Sequence, residues 1–566
     1  MEGLNIGRDL LLVLVTAVAG GMLARWLRLP VILGYLLGGI AVGPYGLGWV
    51  HETQSINSLA NIGVVLLLFA IGLEFSFKEV MRMGRVAILG GLAQIVLTTV
   101  VGLGLGRLLG LGVVGSVLFG FLVALSSTMV VLKLLMERGE LDTIQGRILL
   151  GILLVQDLSV VPVMIILPSL AGGGGGIWAA LGITVLKAAV FLGIMLALGV
   201  WVLPWLLRRV AGQRSRELFL LTVVVLCLAA AFGTYSFGLS AAFGAFVAGL
   251  LISQSGFARQ AFADILPMRD TFAALFFVAL GMLANLHFVG SFPSIVAAVV
   301  VMIIVTKFII GSAVTRIFGY SHKTVLMVGT GLVQIGEFSF VLAMMGLAAG
   351  IFSEHIYSLV IAAAIITMLL TPFLMSLSSW LYRILSQKPW FARRLAGWAD
   401  PEWTSRAMEL SHHAVICGYG DIGRRVAAVL ERHKFAYLVI DLDPQIIARL
   451  RERGIPCLYG DASNPEILAH AQLTKARVLV CAVPDLVAVE LTARNALKIN
   501  PKLDIVARVH RDADAELLKN LGVAELVLPL YEGSLEVIRH TLHRFGLTST
   551  EIQYILNGLR ARETKD

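Results

Sequence analysis

Charged residues are scarce in this chain. Only 14% of its 566 residues are Asp, Glu, Lys or Arg, whereas 58% are hydrophobic. A soluble domain ordinarily carries about 25% charged residues, so the composition excludes a wholly soluble protein. Cysteine is rare as well, and Cys227, Cys417, Cys457 and Cys481 form no C-x-x-C pair or secreted spacing. This pattern excludes a disulfide framework and favours small buried thiols in a reducing compartment.

Long apolar runs divide the chain into two parts. Up to about residue 385 the runs are near 20 residues long, the length of a helix that crosses a bilayer. From residue 412 onward the sequence is mixed, charged and of soluble type. We therefore predict a polytopic α-helical membrane domain over 1–385, a linker over 386–411, a soluble domain over 412–535 and a helical tail over 536–566.

Hydropathy predicts about 13 transmembrane helices. They lie near residues 9–26, 30–48, 57–75, 86–106, 113–136, 147–170, 178–207, 217–234, 238–254, 267–287, 292–315, 324–349 and 356–384. Basic residues concentrate in alternate loops, such as those around Arg138, Arg208 and Lys323, and the other loops carry little beyond Arg107. Under the positive-inside rule the N-terminus is outside and the soluble domain is cytoplasmic. The net charge of +9 is therefore a topology signal, and no nucleic-acid partner is expected.

An acid interrupts one of the most apolar spans. Asp157 follows Gln156 inside a run of Ile, Leu and Val that continues to Pro162. An ionisable side chain at the bilayer centre costs roughly 2.5–3.5 kcal/mol on insertion scales, so such residues usually mark an ion or proton pathway. A carboxylate there can alternately hold a proton and a small cation. We therefore predict that Asp157 carries the ions of an ion-coupled transporter.

The fifth and twelfth predicted spans carry polar or glycine interruptions at mid-depth. The fifth holds Ser126, Ser127 and Thr128, and the twelfth holds Gln334 and Glu337 on either side of Ile335-Gly336. An odd number of spans separates them, so they run in opposite directions, and pairing spans 2–6 with spans 9–13 predicts an inverted repeat with crossed broken helices. Interrupted helices at matching positions of inverted halves indicate a transport site, where unwound carbonyls and half-helix ends coordinate a cation.

Lys307 lies in the middle of the eleventh span, the repeat mate of the fourth. An acid and a base within one membrane domain are expected partners, so we predict that Lys307 neutralises Asp157 when no cation is bound. The alternative is an anchor that snorkels to the interface. For Glu337 we favour a structural role at the start of the half-helix after Gly336 over a second titrating group, because acids favour helix N-termini.

The soluble part opens with a short apolar strand, a G-x-G-x-x-G loop and a helix, followed by a second strand that ends at Asp441. Glycines let the backbone approach a phosphate at the helix N-terminus, and the acid can bind ribose hydroxyls. This order predicts an adenine-nucleotide site; the alternative is a Rossmann-shaped domain with an empty pocket. The loop consists of Gly418, Tyr419, Gly420, Asp421, Ile422 and Gly423.

The membrane motifs, in this order, resemble the monovalent cation:proton antiporter-2 family, specifically its Kef-type potassium efflux branch. The resembling segments are 125–128, 156–162, 244–249, 276–282 and 334–338. The resemblance implies a homodimeric antiporter of the bacterial inner membrane, in contact through its membrane and soluble domains, that works by elevator-like alternating access with Asp157 as the ion- and proton-binding carboxylate. In this family a Gln-Asp pair goes with potassium-type members, so K+ at Asp157 is expected and Na+ is the alternative. A single acid beside a neutral Gln suggests electroneutral one-for-one exchange, without a catalytic metal or an enzyme activity.

The soluble domain resembles the regulator-of-potassium-conductance (RCK, TrkA N-terminal) domain through its βαβ alternation and Gly460-Asp461-Ala462. The resemblance implies a dimeric gating domain that binds AMP or NAD(H), with Asp461 and Ala462 near the adenine end. Arg508 is either an anion contact or a surface charge. Acidic Asp421 stands where glutathione-gated members have a basic residue, which argues against control by glutathione. The family leaves room for an ancillary regulatory subunit.

Two other functions compete with antiport. A potassium channel with the same type of tail would need a T-x-G-Y-G filter, which the sequence lacks. A membrane redox enzyme such as a transhydrogenase would need a second site for hydride transfer, whereas we expect only one mononucleotide-binding half in the tail. Both alternatives are therefore disfavoured.

Overall fold

A computed structural model of the chain describes residues 2–27, 29–50, 53–74, 86–141, 143–170, 177–213, 215–237, 239–282, 284–385, 409–509 and 512–563. The chain divides into two compact units. The first contains residues 1–134, 147–318 and 326–376. The second contains residues 377–566 together with two short segments, 135–146 and 319–325, that come from loops between the membrane helices.

Most of the described residues up to 385 form helices. Within the described residues they are α1 Glu2–Trp26, α2 Val31–Val42, α3 Thr53–Glu74, α4 Gly91–Leu108 after a π-turn at Val86–Gly90, α5 Val113–Ala124, α6 Thr128–Arg138, α7 Ile144–Leu170, α8 Ile177–Ala211, α9 Arg216–Ser236, α10 Ala241–Ser253, α11 Ala258–Met282, α12 Leu286–Ser291, α13 Pro293–Ile317, α14 His322–Gly331, α15 Glu337–Ala348 and α16 Glu354–Leu385. Each of the thirteen predicted spans coincides with one or two of these helices.

Nine stretches among the described residues are long and apolar enough to cross a membrane, and four shorter apolar helices accompany them. The fifth and twelfth predicted spans are each broken into two helices, as the sequence predicts. Small residues let the helices pack closely. A Cβ on Gly102 of α4 would lie 2.5 Å from the Cα of Gly120 of α5, which no real side chain tolerates. Glycines of this kind bring backbones into contact where a bilayer supplies little hydrophobic driving force.

The second unit contains a six-stranded parallel sheet with the strand order β3-β2-β1-β4-β5-β6. The strands are β1 Ala414–Cys417, β2 Tyr437–Asp441, β3 Cys457–Tyr459, β4 Val478–Cys481, β5 Asp504–Arg508 and β6 Glu525–Val527. The helices are α17 Asp421–Arg432, α18 Pro444–Glu452, α19 Pro465–His470, α20 Leu486–Ile499, α21 Asp512–Asn520, α22 Pro529–Arg544 and α23 Ser549–Glu563. All four residues of β1 are buried, because helices cover both faces of a parallel sheet.

This strand order contains both halves of a doubly wound dinucleotide-binding fold. The expectation of a single mononucleotide-binding half is therefore wrong. The sequence hides β6 because the strand is only three residues long and carries Glu525. Helix α22 begins at Pro529, so the predicted start of the helical tail at residue 536 falls inside a helix. Most of the predicted linker, residues 386–408, lies outside the described residues.

Candidate functional site

The two broken helices cross at their interruptions. Helix α5 ends at Ala124 and α6 begins at Thr128, while α14 ends at Gly331 and α15 begins at Glu337. The amide N–H of Gly336 donates to the carbonyl of Leu125 over 3.1 Å, and the Ser126 hydroxyl donates to the carbonyl of Leu332 over 3.1 Å. Serine and glycine favour such breaks because they compete with or weaken helical hydrogen bonding.

Gly336 is required at the crossing because there is no space for a side chain at this position. A Cβ at this position would lie 2.7 Å from the carbonyl oxygen of Ser126. Any side chain would therefore push the two unwound segments apart. The glycine in the Gln-Ile-Gly-Glu motif has a steric explanation that sequence alone could not supply.

Lys307 of α13 is completely buried and points its ammonium group at the crossing. Its Nζ donates 2.6 Å hydrogen bonds to the carbonyls of Leu125 and Gln334, one from each break. Unwound carbonyls have no helical partner, and the ammonium supplies one. Among the ion pairs of the described residues, none joins Lys307 to Asp157, so their predicted pairing stays a prediction. In this structure Lys307 holds the two interruptions together.

Asp157 lies beside the first break, on α7. Its Oδ2 accepts a 2.7 Å hydrogen bond from the hydroxyl of Thr128, the first residue of α6. Both residues are half-buried, whereas Gln156 is fully buried. A carboxylate and a hydroxyl that keep some access are suited to exchange a proton for a cation, and a fully enclosed pair would not be.

Gln156 performs a different task from its neighbour. Its Oε1 accepts a 2.7 Å hydrogen bond from the amide N–H of Ser126, and its Nε2 donates over 2.6 Å to Oε1 of Gln94. Gln94 in turn donates to the carbonyl of Ala124 over 3.1 Å and to the hydroxyl of Thr98 over 3.2 Å. The two glutamines thus satisfy the carbonyl of the last residue of α5 and an amide inside the first break.

The sequence reasoning missed Gln94, which is fully buried in α4. Its signal was present: a glutamine in the middle of an apolar span, on the helix predicted to be the repeat mate of the one that carries Lys307. Both side chains donate N–H groups to carbonyls of the breaks. The matching helices of the two inverted halves therefore donate to carbonyls at the breaks with different residue types, a glutamine in one and a lysine in the other.

Helix α16 supports the second break. The Thr367 hydroxyl accepts the amide N–H of Ile335 over 3.2 Å, and the Thr371 hydroxyl donates to Oε1 of Gln334 over 3.2 Å. Gln334 is fully buried, and its Nε2 lies 3.5 Å from the carbonyl of Ser127 across the crossing. Its side chain therefore links α16 to the first break.

Glu337 is the first residue of α15, as expected for an acid at a helix N-terminus. Its side chain is buried and bonds the Ser127 hydroxyl and the Met129 amide, while Oε2 has no hydrogen-bond partner among the described residues. Glu337 also lies near enough to Asp157 for the two carboxyl groups to interact electrostatically. The structural role of Glu337, with a second titrating group as its alternative, therefore stays a prediction.

The glycine loop of the soluble unit follows β1 and leads into α17. Gly418 has a φ of +94°, and a Cβ on Gly423 would lie 1.9 Å from the carbonyl oxygen of Gly418. These two glycines are required by the fold itself. A Cβ on Gly420, by contrast, would meet no atom within 4 Å. Gly420 thus borders the open space at the N-terminus of α17, where a phosphate would bind.

Asp441 ends β2 beside the loop, as predicted. Its Oδ2 accepts the amide N–H of Tyr419 over 2.6 Å, and its Oδ1 accepts that of Asp443 over 2.8 Å. A carboxylate offers about four acceptor positions, so ribose hydroxyls can still bind. The main-chain bonds hold the acid in place before any ligand arrives.

The remaining predicted residues differ in their setting. Asp461 and Ala462 follow β3 and are buried, and Arg508 ends β5 with a buried Nε that lacks a hydrogen-bond partner among the described residues. Asp421 is exposed in the first turn of α17 and pairs with Arg424, while Ile422 is half-buried. Arg508 therefore has capacity for an anion, and Asp421 does not.

Comparison with known proteins bears on both units. The family model described as sodium/hydrogen exchanger, transmembrane, matches residues 11–376, and the TrkA-N domain model matches residues 414–529. The chain belongs to the sodium/hydrogen exchanger family. It is a multi-pass cation/proton antiporter with a C-terminal TrkA-N (RCK) regulatory domain, and it is not an enzyme.

Individual relatives agree with this assignment. The chain is 35% identical to the cation/proton antiporter YbaL of Escherichia coli K12, over 94% of this chain and 95% of that protein. It is 31% identical to the K(+) efflux antiporter KefB of Alkalimonas amylolytica, over 95% of this chain and 81% of that protein. The sodium proton antiporter MjNhaP1 of Methanocaldococcus jannaschii has a similar fold, with 16% identity, a TM-score of 0.51, and coverage of 67% of this chain and 98% of that one.

Proposed function

We propose that this exchanger moves K+ against protons, with Asp157 as the single carrier group. The observation that carries the proposal is the half-buried Asp157 beside Thr128, at a crossing whose backbone groups are otherwise bonded. Gln94, Gln156 and Lys307 occupy the carbonyls and amides around the breaks. We assign Glu337 the structural role at the start of α15, so Asp157 is the group that exchanges a proton for a cation.

One carboxyl group that binds either ion gives electroneutral, one-for-one exchange. Protonated Asp157 can donate a hydrogen bond, whereas ionised Asp157 offers its oxygens to a cation together with the Thr128 hydroxyl. We infer an elevator-like cycle in a homodimer, in which the crossing moves between the two sides of the bilayer. An adenine nucleotide, AMP or NAD(H), gates this cycle and binds at Gly420, Asp441 and the N-terminus of α17.

Potassium is favoured over sodium by the Gln156-Asp157 pair and by the similarity to KefB, a K(+) efflux antiporter. Sodium exchange is the second candidate, since the chain belongs to the sodium/hydrogen exchanger family and MjNhaP1, a sodium proton antiporter, has a similar fold. The two readings differ in one measurement. Proteoliposomes loaded with a pH-sensitive dye should respond to K+ and Rb+ at lower concentrations than to Na+ and Li+.

The replacement Asp157→Asn tests the carrier assignment. It keeps the side-chain size and removes the titratable group, so cation-dependent proton movement should fall to the level of empty vesicles. Glu354→Gln is the matched control, because Glu354 is an exposed acid at the start of α16. The control should retain exchange. Full exchange in the Asp157→Asn protein would remove the basis of the proposal.

A membrane voltage imposed with an ionophore distinguishes electroneutral one-for-one exchange from transport that moves net charge. Electroneutral exchange should proceed at the same rate with and without the voltage. Cation flux that follows the voltage and moves no protons would instead indicate a channel.

A further inference from the structure

A buried ion pair joins a membrane-helix loop to the soluble domain within the second unit. Nζ of Lys323, in the first turn of α14, lies 2.5 Å from Oδ2 of Asp485. The two side chains are only 3% and 8% exposed. Asp485 also caps α20 by accepting the amide N–H of Ala488 over 3.2 Å. A fully desolvated charge pair is stable only when each charge has its partner, so this contact fixes the loop to the strand end after β4.

A second contact lies beside the first. The hydroxyl of Tyr382, near the end of α16, donates a 2.6 Å hydrogen bond to Oδ2 of Asp461 after β3. The Lys323 ammonium lies 5.6 Å from the centre of the Tyr382 ring, and the hydroxyl of Tyr459 donates over 2.7 Å to the carbonyl of Gly319. We call Lys323, Tyr382, Asp461 and Asp485 the docking cluster.

The docking cluster occupies the edge of the sheet where a nucleotide is expected. Asp461 and Asp485 follow β3 and β4, and ligands of doubly wound sheets bind outside the carboxyl ends of the strands. The loop after β4 also touches the glycine loop: the amide N–H of Ala482 donates to the carbonyl of Cys417 over 2.9 Å, and Val483 packs against Gly418. A ligand that shifts the glycine loop therefore acts on the segment that leads to Asp485.

Each segment that reaches this unit continues a helix that builds the ion site. Helix α6 begins at Thr128, which bonds Asp157, and ends at Arg138 before residues 139–146. Helix α14 runs from the docking cluster to Gly331, next to the second break. In α16, eleven residues separate Thr371 from Tyr382, about 16 Å of helix at 1.5 Å per residue. The docking cluster is therefore connected to the residues around the two breaks by two to three turns of helix, with Pro372 inside the stretch in α16.

We propose that the acidic carboxyl edge of the sheet, Asp461 with Asp485, is the docking surface for this chain's own Lys323 and Tyr382, and that a nucleotide bound at this edge controls exchange through these contacts. The inference rests on the proposed function and names the route of its regulation. A ligand shifts such a cycle only by binding one arrangement of the docking surface better than another.

The test uses the full-length protein in proteoliposomes, with AMP and with NADH as probes. Tyr382→Phe removes one hydroxyl, and the double variant Lys323→Gln with Asp485→Asn removes both charges of the ion pair. Glu431→Gln is the control, because Glu431 forms an exposed pair with Arg453 at 3.5 Å. In the unchanged protein we expect nucleotide to alter the exchange rate at least about fivefold, the lower range of allosteric coupling.

Both docking variants should still exchange ions without nucleotide and should show a nucleotide effect of less than about twofold, a loss within the usual range of coupling. The control should keep the full effect. Calorimetry on the same samples reports nucleotide affinity and confirms that the tail is folded. Retention of the full nucleotide effect by both docking variants would overturn the inference and leave the antiporter proposal standing. Loss of the nucleotide effect in both docking variants, with the full effect kept in Glu431→Gln, supports the inference. Absence of AMP and NADH binding to the unchanged protein would overturn the regulatory route alone.

Discussion

Two adjacent residues, Gln156 and Asp157, divide the work at the ion site. Gln156 is buried and bonded at both ends of its amide, to Ser126 and Gln94. Asp157 is half-buried and bonded to Thr128. An amide cannot titrate and is suited to hold backbone in place, whereas a carboxylate can. Under the proposed function, the Gln-Asp motif combines a fixed support with an ion carrier.

Replacement of Gln94 by Leu should destabilise the crossing. It removes the donor to the Ala124 carbonyl and the acceptor of the Gln156 Nε2 N–H, and each buried polar group left unsatisfied costs about 1–3 kcal/mol. We expect a lower unfolding temperature and slower exchange in purified protein. Thr98→Val is the matched control, since it removes only the 3.2 Å bond to the Thr98 hydroxyl. Unchanged stability and exchange in Gln94→Leu would show that the first break does not depend on this amide.

At the scale of elements, one glycine of the loop is required by the fold and another is expected to affect only ligand binding. Gly423→Ala places a Cβ 1.9 Å from the carbonyl of Gly418 and should disrupt the tail. Gly420→Ala meets no protein atom, so the tail should remain folded while nucleotide affinity falls, because the methyl group blocks approach of the phosphate to the helix N-terminus. Circular dichroism and calorimetry distinguish the two outcomes. Equal nucleotide affinity in Gly420→Ala and the unchanged protein would contradict the assignment of the loop.

The loop between α6 and α7 contains a titratable group close to the docking cluster. Burial and the Asp485 carboxylate raise the pKa of Glu140 to about 7, against the opposing charges of Lys323 and Arg138. For Asp485, burial alone would raise the pKa, but the Lys323 ammonium and the N–H donors at the start of α20 outweigh it and lower the pKa. Near neutral pH, Asp485 is thus charged and Glu140 is close to half protonated.

The raised pKa predicts how the stability of this unit depends on pH. A raised carboxyl pKa stabilises the folded arrangement at low pH, and that contribution is lost as pH rises from the ordinary 4.5 to about 7. It amounts to roughly 3 kcal/mol at most, at 1.36 kcal/mol per pKa unit. Asp485 titrates below this window. The unchanged protein should therefore become more stable as the pH falls from 7.5 to 5, and Glu140→Gln should lack this gain. The unfolding temperatures of the two proteins, measured across this range, report the difference. Parallel curves for the two proteins would rule out this role for Glu140.

At the scale of the whole molecule, the chain has two compact units, and the second unit takes two segments from loops between membrane helices. A nucleotide that binds only the folded second unit stabilises it by mass action, by about 2.7 kcal/mol at one hundred times its dissociation constant. We expect AMP or NADH to raise the unfolding temperature of full-length protein, and equally so in Asp157→Asn, because carrier and nucleotide site are different residues. No shift in either protein at saturating nucleotide would argue against an adenine-nucleotide site.

Much of the fold was predictable from the chain alone. The positions of the two breaks, the buried acid and the glycine loop followed from local signals: hydropathy over about 20 residues, a charge in an apolar run, and the spacing of glycines next to a strand. These signals are local because helix and strand formation and the cost of burying a charge depend mainly on neighbours in sequence. Strand β6 was not predicted, because three residues are too few to show a pattern of alternating apolar residues.

The partners of the buried polar groups were decided by the tertiary structure. Lys307 bonds the carbonyls of Leu125 and Gln334, Gln94 bonds Gln156, and Lys323 pairs with Asp485. Each of these contacts links residues far apart in the chain, and each arises because an unwound carbonyl or a buried charge must be satisfied by whichever donor the packing brings near. Composition and spacing predict that such groups need partners, but only the packed helices and loops determine which ones they obtain.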